Sequence, residues 1–222
     1  MKYYPVFLDV KGRSCLVVGG GQVGARKAVG LAKAHARVRV VSLEFSAKLV
    51  ETESICLVKK PFEVSDLEGI SLVFAATDSK TLNSKIRKAA QTAGILCNVV
   101  DGKDKGDFIL PSVVEQGDLL VAVSTCGASP AMARKLRKEL EEMLVPEYGE
   151  ALILLANIRK KMLAQGHDPQ GHRQKLNALV EADLAGLIAR GDMAEIDAVL
   201  AQTMGDDFTF DRLSAPRPNK EV

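Results

Sequence analysis

The chain has 222 residues, of which 47% are hydrophobic and 26% charged, so burial alone can build its core. A net charge of +2 and an aromatic content of 5%, without tryptophan, argue against a nucleic-acid partner. No apolar run reaches the length of a membrane span, and charged residues near the start leave no signal peptide. We therefore expect a cytoplasmic protein without a membrane partner.

The four cysteines form no CxxC pair and have no histidine pair nearby, so the sequence offers no metal-ligand set. Three of them, Cys15, Cys56 and Cys97, lie in or beside apolar runs and are expected to be small buried hydrophobes. Cys126 lies instead in a polar loop before a helix, and its role stays open.

The first half of the chain alternates short apolar, β-branched runs with helical stretches. The predicted strands are 14–18, 37–41, 55–58, 72–75 and 96–100, and the predicted helices are 22–34, 46–53 and 80–93. Apolar strands separated by helices are typical of a parallel sheet that is covered on both faces. The first half is therefore predicted to be a Rossmann-type domain over residues 1–112.

The pattern changes in the second half. Two strand-like runs, 108–114 and 119–124, are joined by a hairpin turn, and Ser129-Pro130 starts a helix that ends near residue 144. Only helices follow, at 147–165, 174–189 and 194–203. We predict a small α+β region over 113–145, an all-helical domain over 146–205 and a disordered tail over 206–222.

A glycine-rich turn follows the first strand and opens the first helix. Its GxGxxG pattern is formed by Gly19, Gly21 and Gly24. Gly19 permits the tight turn, Gly21 lets the backbone approach a diphosphate, and Gly24 lets the helix pack on the strand. The phosphates would lie on the free amides of Gln22 and Val23. The alternative is a turn that only packs.

The second strand is followed by Ser42, Leu43 and Glu44, where Rossmann domains usually select their cofactor. No acid stands at the last strand position, and Glu44 comes slightly late. Because no arginine follows and Glu44 would repel a 2′-phosphate, NAD is predicted rather than NADP. Alternatively, Glu44 caps the short helix that follows.

Further candidate residues end the fourth and fifth strands. Thr77 can hydrogen-bond the adenosine side of the dinucleotide, whereas Asp78 either lines the same crevice or caps the next helix. Asp101 ends the central fifth strand, where a carboxylate with a raised pKa can act as general base. The alternative for Asp101 is a polar turn, which is also the interpretation of Asp104 and Asp107.

The loop from Ser124 to Pro130 offers hydroxyl groups and the amides of a helix start, which together suit an anion. Ser124, Thr125 and Ser129 are therefore candidate substrate-binding residues. Arg134, in the first turns of the helix, is a further candidate for binding a polycarboxylate. A solvated helix face is the alternative for this arginine and for Arg137.

Six segments in the same order and spacing resemble precorrin-2 dehydrogenase, the N-terminal module of siroheme synthases. They are YPVF at 4–7, VVGGGQVGARKA at 17–28, AATD at 75–78, CNVVD at 97–101, FILPS at 108–112 and SP at 129–130. The resemblance covers residues 1 to about 145, and the helical remainder matches only in character. One departure is Thr125, which stands where family members often have a serine.

The resemblance implies NAD-dependent oxidation of precorrin-2 to sirohydrochlorin, with Asp101 as the catalytic carboxylate that removes a proton or positions the macrocycle. Some members also insert Fe²⁺, so a metal substrate, Fe²⁺ or Co²⁺, remains open. The family is homodimeric through the region 113–144. The competing hypotheses are a non-catalytic NAD-sensing module and a chelatase that no longer uses NAD.

Overall fold

A computed structural model describes residues 2–100, 106–166 and 168–214. Contacts within the chain divide it into two units, Met1–Leu110 and Pro111–Val222. The further division that we predict at residue 145 stays a prediction.

The first unit is a five-stranded parallel sheet with helices. Its strands are β1 (Ser14–Val18), β2 (Arg37–Ser42), β3 (Ile55–Lys59), β4 (Leu72–Ala75) and β5 (Leu96–Val99), in the spatial order β3-β2-β1-β4-β5. The helices are α1 (Gln22–Lys33), α2 (Ala47–Val50) and α3 (Lys80–Thr92), with a short 3₁₀ helix at Val64–Leu67. The predicted parallel sheet is confirmed, and this strand order belongs to doubly wound nucleotide-binding folds.

Alternation along β1 explains why the sheet is covered on both faces. Val17 belongs to one apolar cluster with Ala28 of α1, whereas Leu16 belongs to a second cluster with Ile86 of α3. Both faces of β1 are buried, so the strand is apolar almost throughout. Because all five strands are parallel, the carboxyl ends of β1, β2 and β4 lie at one edge of the sheet.

The second unit begins with the predicted hairpin, formed by β6 (Ser112–Gln116) and β7 (Leu119–Val123) around Gly117, whose φ is +59°. Among the residues that the structure describes, six helices follow: α4 (Pro130–Met143), α5 (Glu147–Gln165), α6 (Pro169–Glu181), α7 (Leu184–Arg190), α8 (Met193–Met204) and α9 (Phe210–Leu213). Leu154, Ile158 and Leu179 are fully buried in the centre of their core. The predicted antiparallel hairpin and the helical C-terminal region are confirmed.

Several predicted elements are wrong in their limits. Helix α2 spans only Ala47–Val50 of the expected 46–53, and the helix expected from 174 begins at Pro169. The helix expected over 174–189 is interrupted at Asp183, which has a φ of +50° and accepts a hydrogen bond from Gly186 N, so that α7 starts anew. The strand expected from Phe108 begins only at Ser112. Phe108 instead packs edge-on against Phe74, with ring centroids 5.5 Å apart.

The tail predicted to be disordered from Asp206 is ordered as far as Ser214. Phe208 and Leu213 are buried in the helical core, which an apolar pair can join although the surrounding sequence is polar. The amide of Phe210 donates to Asp197 Oδ1 at 2.7 Å, and Asn157 Nδ2 donates to the carbonyl of Leu213 at 2.7 Å. Residues 215–222 lie outside the described residues.

Within the described part of the chain, no helix combines the length and the apolar character that crossing a bilayer requires.

Candidate functional site

The three glycines of the GxGxxG turn are required for different reasons. A Cβ on Gly19, whose φ is +119°, would lie 2.2 Å from the Ala76 carbonyl oxygen. A Cβ on Gly24 would lie 2.0 Å from the Gly19 carbonyl oxygen. Around Gly21, by contrast, a Cβ would meet nothing within 4 Å. Packing of the chain itself therefore requires Gly19 and Gly24, whereas the open space at Gly21 is available to a ligand.

Helix α1 presents its positive end at this turn. Its N-cap residue is Gly21, no side chain caps it, and its first turn contains no acidic residue. The first amides of a helix have no partner within the helix, so those of Gln22 and Val23 are available to an anion. The residues present therefore fit the diphosphate of a dinucleotide.

Sequence reasoning missed the role of Gly20. A Cβ there would lie 2.0 Å from the Glu44 carbonyl oxygen, and the amide of Ser46 donates to the carbonyl of Gly20 at 2.9 Å. The loop that carries Ser42, Leu43 and Glu44 thus lies directly against the glycine turn. The signal that could have revealed this contact was a glycine at the variable position between Gly19 and Gly21.

The structure excludes the alternative role proposed for Glu44. Helix α2 begins at Ala47 with Ser46 as its N-cap residue, so Glu44 does not cap it. Leu43 and Glu44 are exposed beside the glycine turn, and Ser42 is the last residue of β2. The exposed carboxylate of Glu44 is therefore available to a ligand at this edge of the sheet.

At the end of β4, Thr77 is held by a residue that sequence reasoning missed, Asn83 of α3. The Thr77 amide and hydroxyl donate to Asn83 Oδ1 at 3.2 and 2.7 Å, and Asn83 Nδ2 donates to the Thr77 carbonyl at 2.8 Å. Ser79, not Asp78, caps α3, because its Oγ accepts the amide of Leu82. The capping alternative for Asp78 is therefore wrong.

The predicted catalytic carboxylate, Asp101, lies outside the described residues, as does Asp104. The described residues on either side of this segment are nevertheless fixed to β4 and β5. On the incoming side, the Val100 amide donates to the Ala75 carbonyl at 3.0 Å. On the returning side, Asp107 accepts the Cys97 amide at 2.9 Å and donates its own amide to the Cys97 carbonyl at 2.8 Å. We expected Asp107 to be a solvated turn residue. Its two bonds to Cys97 show that it is a structural residue instead.

The cysteines near the sheet are not activated nucleophiles. Burial, reinforced by the nearby Asp107 carboxylate, raises the pKa of the Cys97 thiol to about 11, so it stays protonated at neutral pH. Cys15 and Cys97 are buried as expected. Cys56 is exposed, so the prediction that it is buried was wrong.

Among the described residues, no group of three His, Cys, Asp or Glu side chains is arranged to hold a metal ion.

In the second unit, the hydroxyls of the 124–130 loop bind the loop itself. Ser124 Oγ accepts the amide of Cys126, and Thr125 Oγ1 bonds both the amide and the carbonyl of Ser129. Ser129 Oγ caps α4 by accepting the amide of Met132, as its sequence position suggested. These three hydroxyls therefore shape the loop that presents the start of α4.

The two arginines left open by the sequence differ in their surroundings. Arg137 forms an ion pair with Glu141 one turn further along α4. Arg134 is exposed and has no ion pair within the described part of the chain. Of the two, Arg134 has its guanidinium available for an acidic ligand.

Two family models match the chain: a putative NAD(P)-binding model over residues 6–112 and a sirohaem biosynthesis protein central model over 116–143. Together they cover more than half of its 222 residues. The siroheme synthase of Methylococcus capsulatus is 37% identical over 205 residues, which are 91% of this chain and 43% of that protein. The chain is thus similar to siroheme synthases over almost its whole length. The resemblance seen in the sequence is thereby confirmed.

Two other siroheme synthases are similarly close to this chain. That of Nitrosomonas eutropha is 38% identical, covering 90% of this chain and 43% of the relative, and that of Salmonella typhi is 36% identical, covering 89% and 44%. The chain thus spans less than half the length of the curated relatives it matches.

A solved structure described as SirC, precorrin-2 dehydrogenase, shares the fold of this chain. Its TM-score is 0.74, with 24% identity, and the match covers 90% of this chain and 98% of the other. The predicted fold class, a Rossmann-type sheet followed by a small α+β region and a helical region, is confirmed. The matched NAD(P)-binding model indicates a nicotinamide cofactor without deciding between NAD and NADP.

Gly24→Ala and Gly21→Ala should separate the packing role from the ligand role of the turn. We expect Gly24→Ala to lower the free energy of unfolding of the cofactor-free protein by about 1–3 kcal/mol, because the added methyl group overlaps the Gly19 carbonyl. Gly21→Ala should change it by less than about 0.5 kcal/mol, since its Cβ enters open space. Urea unfolding measures both, and equal losses would contradict this division of roles.

Proposed function

We propose that this chain catalyses the NAD-dependent oxidation of precorrin-2 to sirohydrochlorin in siroheme biosynthesis. The observation that carries the proposal is the uncapped helix start beside the open space at Gly21, at the carboxyl edge of a parallel sheet. The dehydrogenase named by the structural match and the synthases among the relatives support this reaction. No relative or family model supports the alternative of a non-catalytic NAD-sensing module.

In this proposal the cofactor lies across the carboxyl edge of β1, β2 and β4. The backbone of Gly19, Gly21, Gln22, Val23 and Gly24 holds its diphosphate. When bound, the nicotinamide ring accepts a hydride from the substrate.

The adenosine ribose is proposed to lie beside the loop that packs on Gly20, which carries Ser42, Leu43 and Glu44. NAD is preferred over NADP because the exposed Glu44 carboxylate repels a 2′-phosphate and can accept a hydrogen bond from a 2′-hydroxyl. Thr77 and Asp78 are proposed to border the same crevice from the end of β4.

Asp101 is proposed as the catalytic carboxylate. It follows directly on Val100, whose amide is fixed to the end of β4, so the chain leaves the sheet at the edge where the cofactor is proposed to bind. There the carboxylate accepts the proton that the macrocycle loses as it is oxidised, or holds the macrocycle in position.

The substrate is rich in carboxylates, and the start of α4 suits such groups. We propose that the amides at this helix start and the exposed guanidinium of Arg134 bind substrate carboxylates. Ser124, Thr125 and Ser129 contribute by fixing the loop, since their hydroxyls already hold its backbone.

A homodimer is part of the proposal. The outer face of the β6–β7 hairpin carries three apolar residues, Val113, Leu120 and Ala122, beside a single charged one, Glu115, and all four are exposed. Helix α4 adds exposed Met132 and Leu136. An apolar sheet face of this kind is typical of an interface, and a second copy of the chain would cover it. Sedimentation equilibrium should give twice the mass of the chain, and a monomer at micromolar concentration would contradict the dimer.

We also propose that the protein works in the cytoplasm, because the exposed thiols of Cys56 and Cys126 suit a reducing compartment.

Insertion of Fe²⁺ or Co²⁺ into sirohydrochlorin is a second candidate activity, favoured by the synthase names of the relatives. The macrocycle supplies the nitrogen ligands; of the two N–H protons that they release, Asp101 would accept one and solvent water the other. Incubation of sirohydrochlorin with each metal, without dinucleotide, tests it; metal insertion no faster than without protein would exclude this activity.

Gly21→Asp should abolish NAD binding, because the side chain fills the open space at the turn and its charge repels the diphosphate. Gly30→Asp is the matched control: it places the same side chain on the same helix, at an exposed position where a Cβ also meets nothing. Isothermal titration calorimetry with NAD⁺ should show loss of affinity of at least about 100-fold for the first and less than twofold for the second. Unchanged affinity in Gly21→Asp would refute the proposed position of the diphosphate.

Asp101→Asn should lower NADH production from precorrin-2 by about 10²–10⁴-fold, since the amide cannot accept the proton. The affinity for NAD⁺ should stay within twofold. Asp104→Asn, in the same loop, serves as control and should retain the wild-type rate. The test compares the initial rates of NADH formation, measured by absorbance, in wild type and both variants. A fully active Asp101→Asn variant would exclude this residue from the mechanism.

A further inference from the structure

We infer that Asn83 is a positioning residue for the nicotinamide cofactor, acting through Thr77 without touching the cofactor itself. The inference rests on the proposed function, since it takes the carboxyl edge of the sheet as the cofactor site. It adds to that site a residue that lies inside α3, four positions after its N-cap residue.

The side chain of Asn83 pairs with Thr77 as the edge of a neighbouring strand would. Its carbonyl oxygen accepts the amide of Thr77 at 3.2 Å, and its amino group donates to the carbonyl of Thr77 at 2.8 Å. A third bond joins the Thr77 hydroxyl to the same carbonyl oxygen at 2.7 Å. One side chain therefore satisfies the whole main chain of Thr77 at the point where β4 has ended.

Burial makes these bonds consequential. Asn83 is only 3% exposed, and it lies on the same face of α3 as Ile86 and Ala90, which are completely buried. An apolar residue would be expected at such a position for packing alone. A buried carboxamide is tolerated because its hydrogen bonds are made, so the pairing with Thr77 explains why an asparagine is present.

The restraint on Thr77 extends to the glycine turn. The preceding residue, Ala76, donates its amide to the carbonyl of Val18 at 2.8 Å. The carbonyl oxygen of Ala76 lies so close to Gly19 that a Cβ there would be 2.2 Å away. Fixing Thr77 therefore fixes the backbone that touches the first glycine of the turn, and Asn83 sets the spacing between the two loops that border the cofactor.

The same geometry limits what Thr77 can offer to a ligand. Its single hydroxyl proton has two acceptors within reach, Asn83 Oδ1 at 2.7 Å and the Ser79 carbonyl at 3.3 Å, and its oxygen lies 3.3 Å from the amide of Ser79. Because both acceptors belong to the protein, Thr77 serves towards the cofactor as an acceptor, for instance for a ribose hydroxyl. Asn83 provides the shorter of the two bonds and also fixes the main chain of Thr77.

The test compares Asn83→Ala with wild type by calorimetric titration with NAD⁺ and by steady-state kinetics. We expect the dissociation constant and the KM for NAD⁺ to rise about tenfold, because the Thr77 loop loses its restraint. The kcat with precorrin-2 should stay within about twofold, since Asn83 takes no part in proton or hydride transfer. A lower kcat with an unchanged KM would overturn the inference.

A control variant separates this effect from general loss of stability. Ile86→Val removes one methylene group from the same buried face of α3, one turn further on. The side chain of Ile86 is apolar, so the substitution deletes no hydrogen bond to Thr77. It should leave the affinity for NAD⁺ within twofold at a temperature where all variants are folded. An equal loss of affinity in Ile86→Val and Asn83→Ala would reduce Asn83 to a structural residue.

A double-mutant cycle with Thr77→Val tests the route of the effect. Thr77→Val keeps the shape and deletes the hydroxyl, so it should weaken binding by less than Asn83→Ala does. The loss of NAD⁺ affinity in the double variant should be smaller than the sum of the two single losses, because both changes remove the contact between Thr77 and Asn83. Fully additive losses would show that Asn83 acts through another residue and would overturn the inference.

Hydrogen exchange gives a readout that needs no cofactor. In the ligand-free protein the amide of Thr77 should exchange faster in Asn83→Ala than in wild type, and its rate should be unchanged in Ile86→Val. If wild type binds no dinucleotide, the proposed function fails; if wild type binds and Asn83→Ala binds equally well, only the present inference fails.

Discussion

The first unit depends on contacts between backbones that leave no room for a Cβ atom. The glycine turn after β1 touches the Ala76 carbonyl on one side and the Glu44 carbonyl on the other. Helix α1 in turn lies against the Gly19 carbonyl through Gly24. Such distances are possible only for glycine, so Gly19, Gly20 and Gly24 fix the positions of the turn, the two neighbouring loops and helix α1 relative to one another.

This constraint produces a rim with a fixed shape but free polar groups. The loops after β2 and β4 are tied to the turn by the bonds from Ser46 to Gly20 and from Ala76 to Val18. Asn83 holds Thr77 at the outer side of the rim. The amides at the start of α1 are left without a side-chain cap, and the space beside Gly21 is left open. A preorganised site of this kind loses little conformational entropy when a dinucleotide binds.

The second unit follows a different principle, in which side chains hold their own loop. Thr125 bonds both the amide and the carbonyl of Ser129, and Ser129 caps α4. The result is a rigid helix start with Arg134 exposed nearby and one apolar hairpin face uncovered. The two units therefore supply different chemistry: unpaired backbone amides in the first, and a positively charged helix start with an apolar surface in the second.

The sequence by itself determined those features that depend on neighbouring residues. Apolar, β-branched runs between helices predicted the parallel sheet, and the glycine spacing predicted the turn, since both patterns are local. Local pattern also predicted Ser129 as the cap of α4 and the hairpin at Gly117.

Only the tertiary structure decided the features that join distant segments. The contact of Gly20 with Glu44, the hold of Asn83 on Thr77 and the packing of Phe208 in the helical core all depend on which elements become neighbours. The break at Asp183 was missed because a left-handed residue inside a helical pattern leaves almost no trace in residue type. Hydrogen bonds and close contacts between distant segments form only in the folded chain, so local sequence patterns do not predict them.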